Sequence, residues 1–326
     1  MTEATHWLWV PAADGRRLQR APGHYSIPSV SLPALCAFAA AVCLYLSPHS
    51  HGGEGTEFRL CAEPKVPGST LTLRYKLTLR NGTDSVLSTV LHAAAPVSRT
   101  TSQQCLSVKT SHPCRLVADD LGNQSLAFRF ARVPPFGSKV VTITALVDML
   151  AGSGVSREVA TLPRTPVPRK QHPGSRASDI ESLAARLKGR NQYETARRIH
   201  RWVASTVRYS GCWWESRGAA WALANRRGDC SDSSALFQSL CCAAGVPARR
   251  AVGFVCEGNA VLRESQFHEW AEFSDGTNWR LSDPQRRCFD RRESHYIAFR
   301  VHPDNDTNNS MLFFCDSEGI NVELHR

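Results

Sequence analysis

The sequence predicts an α+β protein: a cysteine-bearing helix packed on an antiparallel sheet, preceded by a β-sandwich module and an apolar N-terminal span. Three observations predict it. A helical stretch opens at Cys230 and stops at a glycine, a hairpin pattern runs from His268 to Asp283, and short alternating runs fill the chain from Glu57 to about Leu150. At 326 residues there is room for two domains and a tail.

The N-terminal span comes first. Ile27 to Leu46 carries no charge and is mostly apolar, and its twenty residues of helix would just cross a hydrocarbon core of about 30 Å. Arg16, Arg17 and Arg20 precede it, and no Lys or Arg follows until Arg59, which places the N-terminus on the cytoplasmic side. The expectation is a cytoplasmic basic tail at 1–26 and a transmembrane signal-anchor at 27–47, with all that follows extracytoplasmic. The shorter apolar core Leu32 to Leu46 also fits a signal-peptide h-region, in which case the protein is secreted.

Residues 56–155 read as the sandwich. LTLRYKLTLRN, VLSTVLHAA, LAFRFARV and KVVTITALVDML each place apolar residues at every second position, with turns at Asn81-Gly82, Gly122-Asn123 and Pro134 to Gly137. Residues 156–177 form a linker, whose TLPRTPVPRKQHPGSR has no hydrophobic period and reads as a semi-stiff spacer.

Residues 178–326 form the second domain. Ser178-Asp-Ile-Glu181 has the form of a capping box, and Asn191 with Glu194 caps a helix whose stripe is Ala196, Ile199, Trp202, Val203 and Val207. Gly228-Asp229 then makes a turn before the helix that starts at Cys230, with Gly245 as its C-cap and Pro247 just beyond. A cysteine in a helix's first turn feels the positive end of the dipole, which favours thiolate. Ala248 to Val255 reads as a strand. HEWAEF, the Asp275-Gly276 turn and the return from Asn278 to Leu281 read as a hairpin, with Trp270 and Trp279 expected to pair across it. The hairpin brings His268 near Asp283, so that the carboxylate can hold one ring nitrogen while the other faces Cys230. HYIAFRV and MLFF are expected to complete the sheet and are assigned no chemistry.

The order of G-D-C, LFQSLCCAAGVPAR and HEWAEFSDGTNWRLSDP resembles the transglutaminase-like superfamily, over roughly Ser178 to Gln285. The resemblance implies a papain-like core, with Cys230 as nucleophile, His268 as general base and acid, and Asp283 as the orienting residue. It also implies a protein or peptide substrate. The family includes cross-linkers, cysteine peptidases, amidases and inactive scaffolds, so fold alone does not choose among them. Hydrolysis by a peptidase or amidase is the first expectation; transfer to a lysine amine and an inactive membrane-attached scaffold are the alternatives. Transglutaminases stabilise the oxyanion with an upstream Trp, which makes Trp214 and Trp221, with Asp229, the candidates for oxyanion or support roles. DDLGNQSLAFRFARVPPFGSKVVTITA is similar to the immunoglobulin-like module that often precedes secreted bacterial transglutaminase-like domains, with a spacing or docking role.

Composition and spacing narrow the rest. No C-x-x-C or H-x-x-x-H pair accompanies the Cys/His/Asp set, so no metal is expected, and no oxygen-rich calcium loop or cofactor motif appears. A net charge of +10 favours anionic surroundings, but the short pairs Arg226-Arg227, Arg249-Arg250, Arg286-Arg287 and Arg291-Arg292 lack interleaved aromatics, which excludes a nucleic-acid module. Those pairs border the catalytic motifs and are expected to lower the thiol's pKa. Of the twelve cysteines, Cys36 and Cys43 fall in the apolar span, and nine remain besides Cys230. An odd number cannot all pair within the chain, and Cys105 with Cys114, or Cys61 with either, are candidate bridges. Asn81, Asn123, Asn305 and Asn308 sit in N-x-S/T sequons.

Overall fold

A computed structural model of the chain describes residues 56–59, 69–150, 177–212, 216–302 and 311–325. The apolar span at 27–47 therefore lies outside the described residues, as do Cys36, Cys43, Cys61, Trp213, Trp214, most of the linker, and Asn305 and Asn308. Among the described residues no helix is long and apolar enough to cross a membrane.

The alternating runs become two facing sheets. One is ordered β1 (Thr56–Arg59), β4 (Gln103–Thr110), β7 (Ser138–Met149), β2 (Thr70–Asn81); the other holds β3 (Leu87–Ala95), β6 (Gln124–Val133) and β5 (Arg115–Ala118). Period-two patterning decides which side chains meet: Leu71, Leu73, Tyr75, Leu77 and Leu79 of β2 all point into the core. The Tyr75 hydroxyl, buried with them, donates to the Ala94 carbonyl of the facing sheet at 2.9 Å, so no polar group is stranded.

The second layer system is helical. α1 (Ala177–Leu187), α2 (Gln192–Thr206) and α3 (Gly218–Asn225) pack around α4 (Cys230–Ala243), which lies on a five-stranded sheet. That sheet runs β14 (Cys288–Phe289), β13 (Trp279–Asp283), β12 (Phe267–Ser274), β10 (Ala248–Val255), β15 (Tyr296–His302). Two-residue strands β8 (Arg208–Tyr209) and β9 (Arg227–Gly228) pair in parallel beside the start of α4. The expected cap at Asn191 is present, its side chain accepting the Glu194 N–H at 2.8 Å. α1 instead begins at Ala177, which puts Ser178 inside the helix rather than at its cap. α4 ends as expected: Gly245 has φ +83°, and the Gly245 and Val246 amides donate back to the Cys242 and Cys241 carbonyls.

The chain's last strands correct one expectation. HYIAFRV is β15 and joins the five-stranded sheet, but β16 (Phe313–Cys315), from the MLFF stretch, pairs with β3, and β17 (Ile320–Leu324) pairs with β2. The C-terminus thus returns to the first two sheets, and β11 (Ala260–Val261) lies in parallel along β2 as well. The apolar core is continuous across this junction. Val252, Phe254, Ile297 and Phe299 belong to the same cluster as Tyr75 and Leu73, with Phe254 and Phe299 meeting edge to face at 5.0 Å. A sheet covered on one face by α4 and on the other by the sandwich is buried on both sides, which is why seven of the eight residues of β10 are buried.

The junction is also hydrogen-bonded. β15 is an edge strand, and its exposed backbone would be an open ladder. The Gln103 amide closes it, Nε2 donating to the Ala298 carbonyl at 3.0 Å and Oε1 accepting the Ala298 N–H at 2.8 Å. Asn123 does the same for Val301, at 3.0 and 2.7 Å. This use of Asn123, and the three carbonyls that Asn81 Nδ2 contacts from a residue 2% exposed, leave neither amide nitrogen available for a glycan in the folded chain. Cys105 and Cys114 are free thiols, so the expected bridge between them is absent; Cys105 is fully buried and packs as a small apolar side chain.

Candidate active site

α4 presents Cys230 at its first residue because its N-terminus is doubly capped. The Asp229 carboxylate accepts the Asp232 N–H at 3.0 Å, and Asp232 reaches back to the Asp229 N–H at 3.3 Å. Asp232 is fully buried and also collects the Arg217 and Gly218 amides at 2.8 and 2.9 Å and the Arg217 guanidinium at 2.7 Å. One side chain thus fastens the segment leading into α3 to the cysteine helix. Gly228 is needed beside it, since a Cβ there would lie 2.7 Å from the Asp232 Cβ.

His268 and Asp283 meet as the hairpin pattern predicts. His268 Nε2 is 2.7 Å from Asp283 Oδ2, with both residues buried. The carboxylate is further held by the Arg286 N–H on Oδ1 at 3.0 Å and by the Tyr296 hydroxyl on Oδ2 at 2.8 Å. Burial pushes Asp283 up, but the His268 contact, the Arg286 amide and the Tyr296 hydroxyl together bring it below the usual carboxylate range, so it is ionised at neutral pH. The register that places these groups is Ser274↔Trp279 through Ala271↔Ser282, closed by a turn in which Asp275 and Asn278 bond at 3.0 Å. In that register Trp279 faces Ser274, while Trp270 lies opposite Ala251, so the expected Trp270–Trp279 pair does not form. Trp270 packs edge-on against Tyr296 at 5.2 Å, and Trp279 lies under the Arg249 guanidinium at 4.1 Å.

Cys230 faces the same strand. The Glu269 backbone N–H, one residue beyond His268, is directed at its sulfur. The residue is only partly covered, yet burial of the sulfur is the largest influence on it and pushes the thiol well up; Asp229 and Glu269 push it the same way, and only the Glu269 N–H acts to lower it. Burial first, and the two carboxylates after it, work against the thiolate that the helix dipole and the arginines were expected to favour. The arginines are engaged elsewhere: Arg249 pairs with Glu272 at 2.6 Å and Arg250 with Glu269 at 2.8 Å, both pairs buried, while Arg226 stacks on Trp202 and Arg227 lies over Trp221.

The Arg250–Glu269 pair was not singled out by sequence reasoning. Glu269 Oε1 also accepts the Ser234 hydroxyl at 2.9 Å, and Ser234 stands one helical turn after Cys230. β12 and α4 are thereby bolted together next to His268 and Cys230. The signal was present: two arginines in the apolar strand ARRAVGFV need buried partners, and HEWAEF offers two glutamates. Of the remaining candidates, Asp229 is the N-cap just described, and Trp221 sits in α3 with the Arg217 guanidinium 3.8 Å above its ring. Trp214 lies outside the described residues. Tyr209 lies just past the α2 C-cap Val207 in β8, where Ser210 N–H donates to the Gly228 carbonyl at 3.0 Å and brings the Tyr209–Cys212 segment alongside the thiol. Among the described residues no cluster of His, Cys, Asp and Glu has the form of a metal site.

Residues 181–284 match the family model of the transglutaminase-like superfamily. Among solved structures, a candidate cysteine protease from Cytophaga hutchinsonii is similar at TM-score 0.50 and 19% identity, over 79% of this chain and 92% of that one, so the likeness in fold extends beyond the matched core. The periplasmic domain of TgpA from Pseudomonas aeruginosa, solved with ethylmercury, aligns over 65% of this chain and 90% of its own at 17% identity and TM-score 0.32. No curated protein sequence matches the chain.

Proposed function

We propose that this chain, whose residues 181–284 form a transglutaminase-like domain, is a thiol enzyme that cleaves amide bonds of proteins or peptides through Cys230, His268 and Asp283. One observation carries the reading: His268 commits Nε2 to an ionised, triply held Asp283, while the next residue's amide is directed at the Cys230 sulfur. That arrangement leaves Nδ1 as the imidazole's nitrogen for the thiol. Because burial and two carboxylates oppose a free thiolate, the sulfur becomes nucleophilic by passing its proton to His268, and Asp283 stabilises the imidazolium so formed. The sulfur attacks the amide carbonyl, His268 returns the proton to the departing amine, and a thioester remains. Water, deprotonated by His268, then releases the acid and the free thiol.

Hydrolysis is favoured over transfer to an amine because water needs no acceptor site. The uncharged span at 27–47 supports attachment to a membrane with the enzyme domain on the extracytoplasmic side, and the two N-terminal sheets support an immunoglobulin-like accessory module. The test is alkylation of the full chain by substoichiometric iodoacetamide across the pH range, with peptide mapping. Selective labelling of Cys230 that is lost in His268→Ala supports the pair. Uniform slow labelling of a folded protein, unchanged in the variant, refutes it. Amine incorporation into a glutamine peptide, in place of peptide hydrolysis, would replace the hydrolase by a cross-linker.

A further inference from the structure

We infer that Tyr296 is a positioning residue of this site, holding the Asp283 carboxylate in the orientation His268 requires, and that the N-terminal sheets hold Tyr296 in turn. The inference rests on the thiol-enzyme reading above. Tyr296 lies beyond the region that matches the family model, in a strand whose residue pattern carries no chemical motif.

The geometry is specific. Tyr296 Oη donates at 2.8 Å to Asp283 Oδ2, the same oxygen that His268 Nε2 contacts at 2.7 Å. Without the hydroxyl, Oδ2 would keep the imidazole contact alone, with Arg286 N–H on the other oxygen. Asp283 is the last residue of β13 and precedes Pro284, so the ladder constrains it least where orientation matters most. The Tyr296 ring is itself fixed, 5% exposed and set edge-on to Trp270. Burial and the neighbouring Asp283 push the phenol up, so across the working pH range it keeps its proton and acts on the carboxylate only as a donor.

The strand beneath it is placed by the sandwich. Two residues along β15, Ala298 exchanges two hydrogen bonds with the Gln103 side chain and donates nothing to solvent, its carbonyl also taking the Val97 N–H at 2.8 Å. The sheets ahead of the enzyme domain are thus a structural wall of the site through Gln103, β15 and Tyr296.

The test is Tyr296→Phe in the full chain, which keeps the ring and removes only the donor. The readout is the pH profile of Cys230 alkylation by iodoacetamide, beside thermal melting. With one donor gone, Asp283 takes up a proton at higher pH, so the acid limb should move upward and labelling on that limb should fall by about tenfold, the scale of one hydrogen bond to a charged group. In an Asp283→Asn background the same change should add nothing. A profile that superimposes on the wild type overturns the inference, as does a lower melting temperature with no shift in the limb. If His268→Ala leaves wild-type labelling unchanged, the thiol-enzyme reading itself has failed. If His268→Ala abolishes it while Tyr296→Phe is silent, only the role of Tyr296 falls.

Discussion

Acidification from about pH 7.5 to about pH 5 should cost the fold roughly 2 kcal/mol at a single residue, His200. This histidine sits on the buried face of α2, with its ring 5.0 Å from Phe289 and Nδ1 3.0 Å from the Ser282 hydroxyl. Burial lowers it from the ordinary 6.5 to about 4; Asp283 pulls it up, while Arg291 and Arg201 push it down. The folded value lies below the unfolded one, so between them the unfolded chain binds the extra proton. The stability is complete above the unfolded value and is lost as pH falls towards the folded one. Evaluating that linkage at pH 5 gives about 2 kcal/mol, and nearly nothing at pH 7.5. The assay is urea unfolding of the wild type and His200→Gln at both pH values. Glutamine can still reach Ser282, and whatever it costs at pH 7.5 cancels in the comparison. The wild type should lose about 2 kcal/mol more than the variant on acidification. Equal losses would show that His200 is solvated or already charged, and the argument from burial would be wrong.

Four further outcomes follow from the same contacts. Asp229→Asn keeps a capping side chain but removes a negative charge beside the sulfur, so Cys230 alkylation should begin at lower pH with stability changed by less than about 1 kcal/mol; an unmoved pH profile would count against the electrostatic account. Arg250→Met strands the Glu269 carboxylate and should cost about 3–5 kcal/mol in urea unfolding, with part recovered when Glu269→Gln is added; strict additivity of the two changes would deny the pair. Gly253→Ala should destabilise by several kcal/mol, on the order of the largest single-residue effects, because its Cβ would meet the Ile297 carbonyl oxygen at 2.0 Å; a melting temperature within a degree or so of wild type would mean the bulge there can open. Gln103→Leu leaves the Ala298 amide and carbonyl without their side-chain partner and should cost about 2 kcal/mol, measured by the same unfolding assay, with no loss expected if water simply replaces the amide.

The part of the site that is local in sequence was legible. The α4 helix, its glycine stop, and the hairpin carrying His268 and Asp283 each follow from periodicity and turn residues within about fifteen positions, because the forces that set them act over that range. The groups that hold the proposed triad were not. Tyr296 reaches Asp283 only because β15 pairs with β10 across a bulge at Gly253, and no local pattern encodes a bulge that a distant strand imposes. The thiol's environment was misread for a related reason. Arg249 and Arg250 look like free cations when counted along the chain, yet β10 is buried on both faces, so each arginine is paired, with Glu272 and Glu269, and burial followed by the nearby carboxylates acts on Cys230. The pairing Trp270–Trp279 failed on register alone: with a four-residue turn fixed at Asp275–Asn278, Trp279 can only face Ser274.

The last strands change what the N-terminal sheets mean. A module that merely spaced the enzyme from a surface would share few contacts with it, and relative motion would be its default. Here β16 and β17 leave the transglutaminase-like half to pair with β3 and β2, a single apolar cluster runs from Leu73 to Phe299, and two side-chain amides close the open edge of β15. Each of these contacts falls on the strand that carries Tyr296 or on strands packed behind it. Under the proposed reading, loosening the sheets would loosen the carboxylate beside His268, whereas the start of the Cys230 helix is also fastened by Asp232 to the segment leading into α3. The two halves of the proposed catalytic pair thus share one tie, Ser234 to Glu269, and each has a support of its own: Asp232 at the start of the cysteine helix, and the sandwich, through β15 and Tyr296, at the carboxylate beside His268.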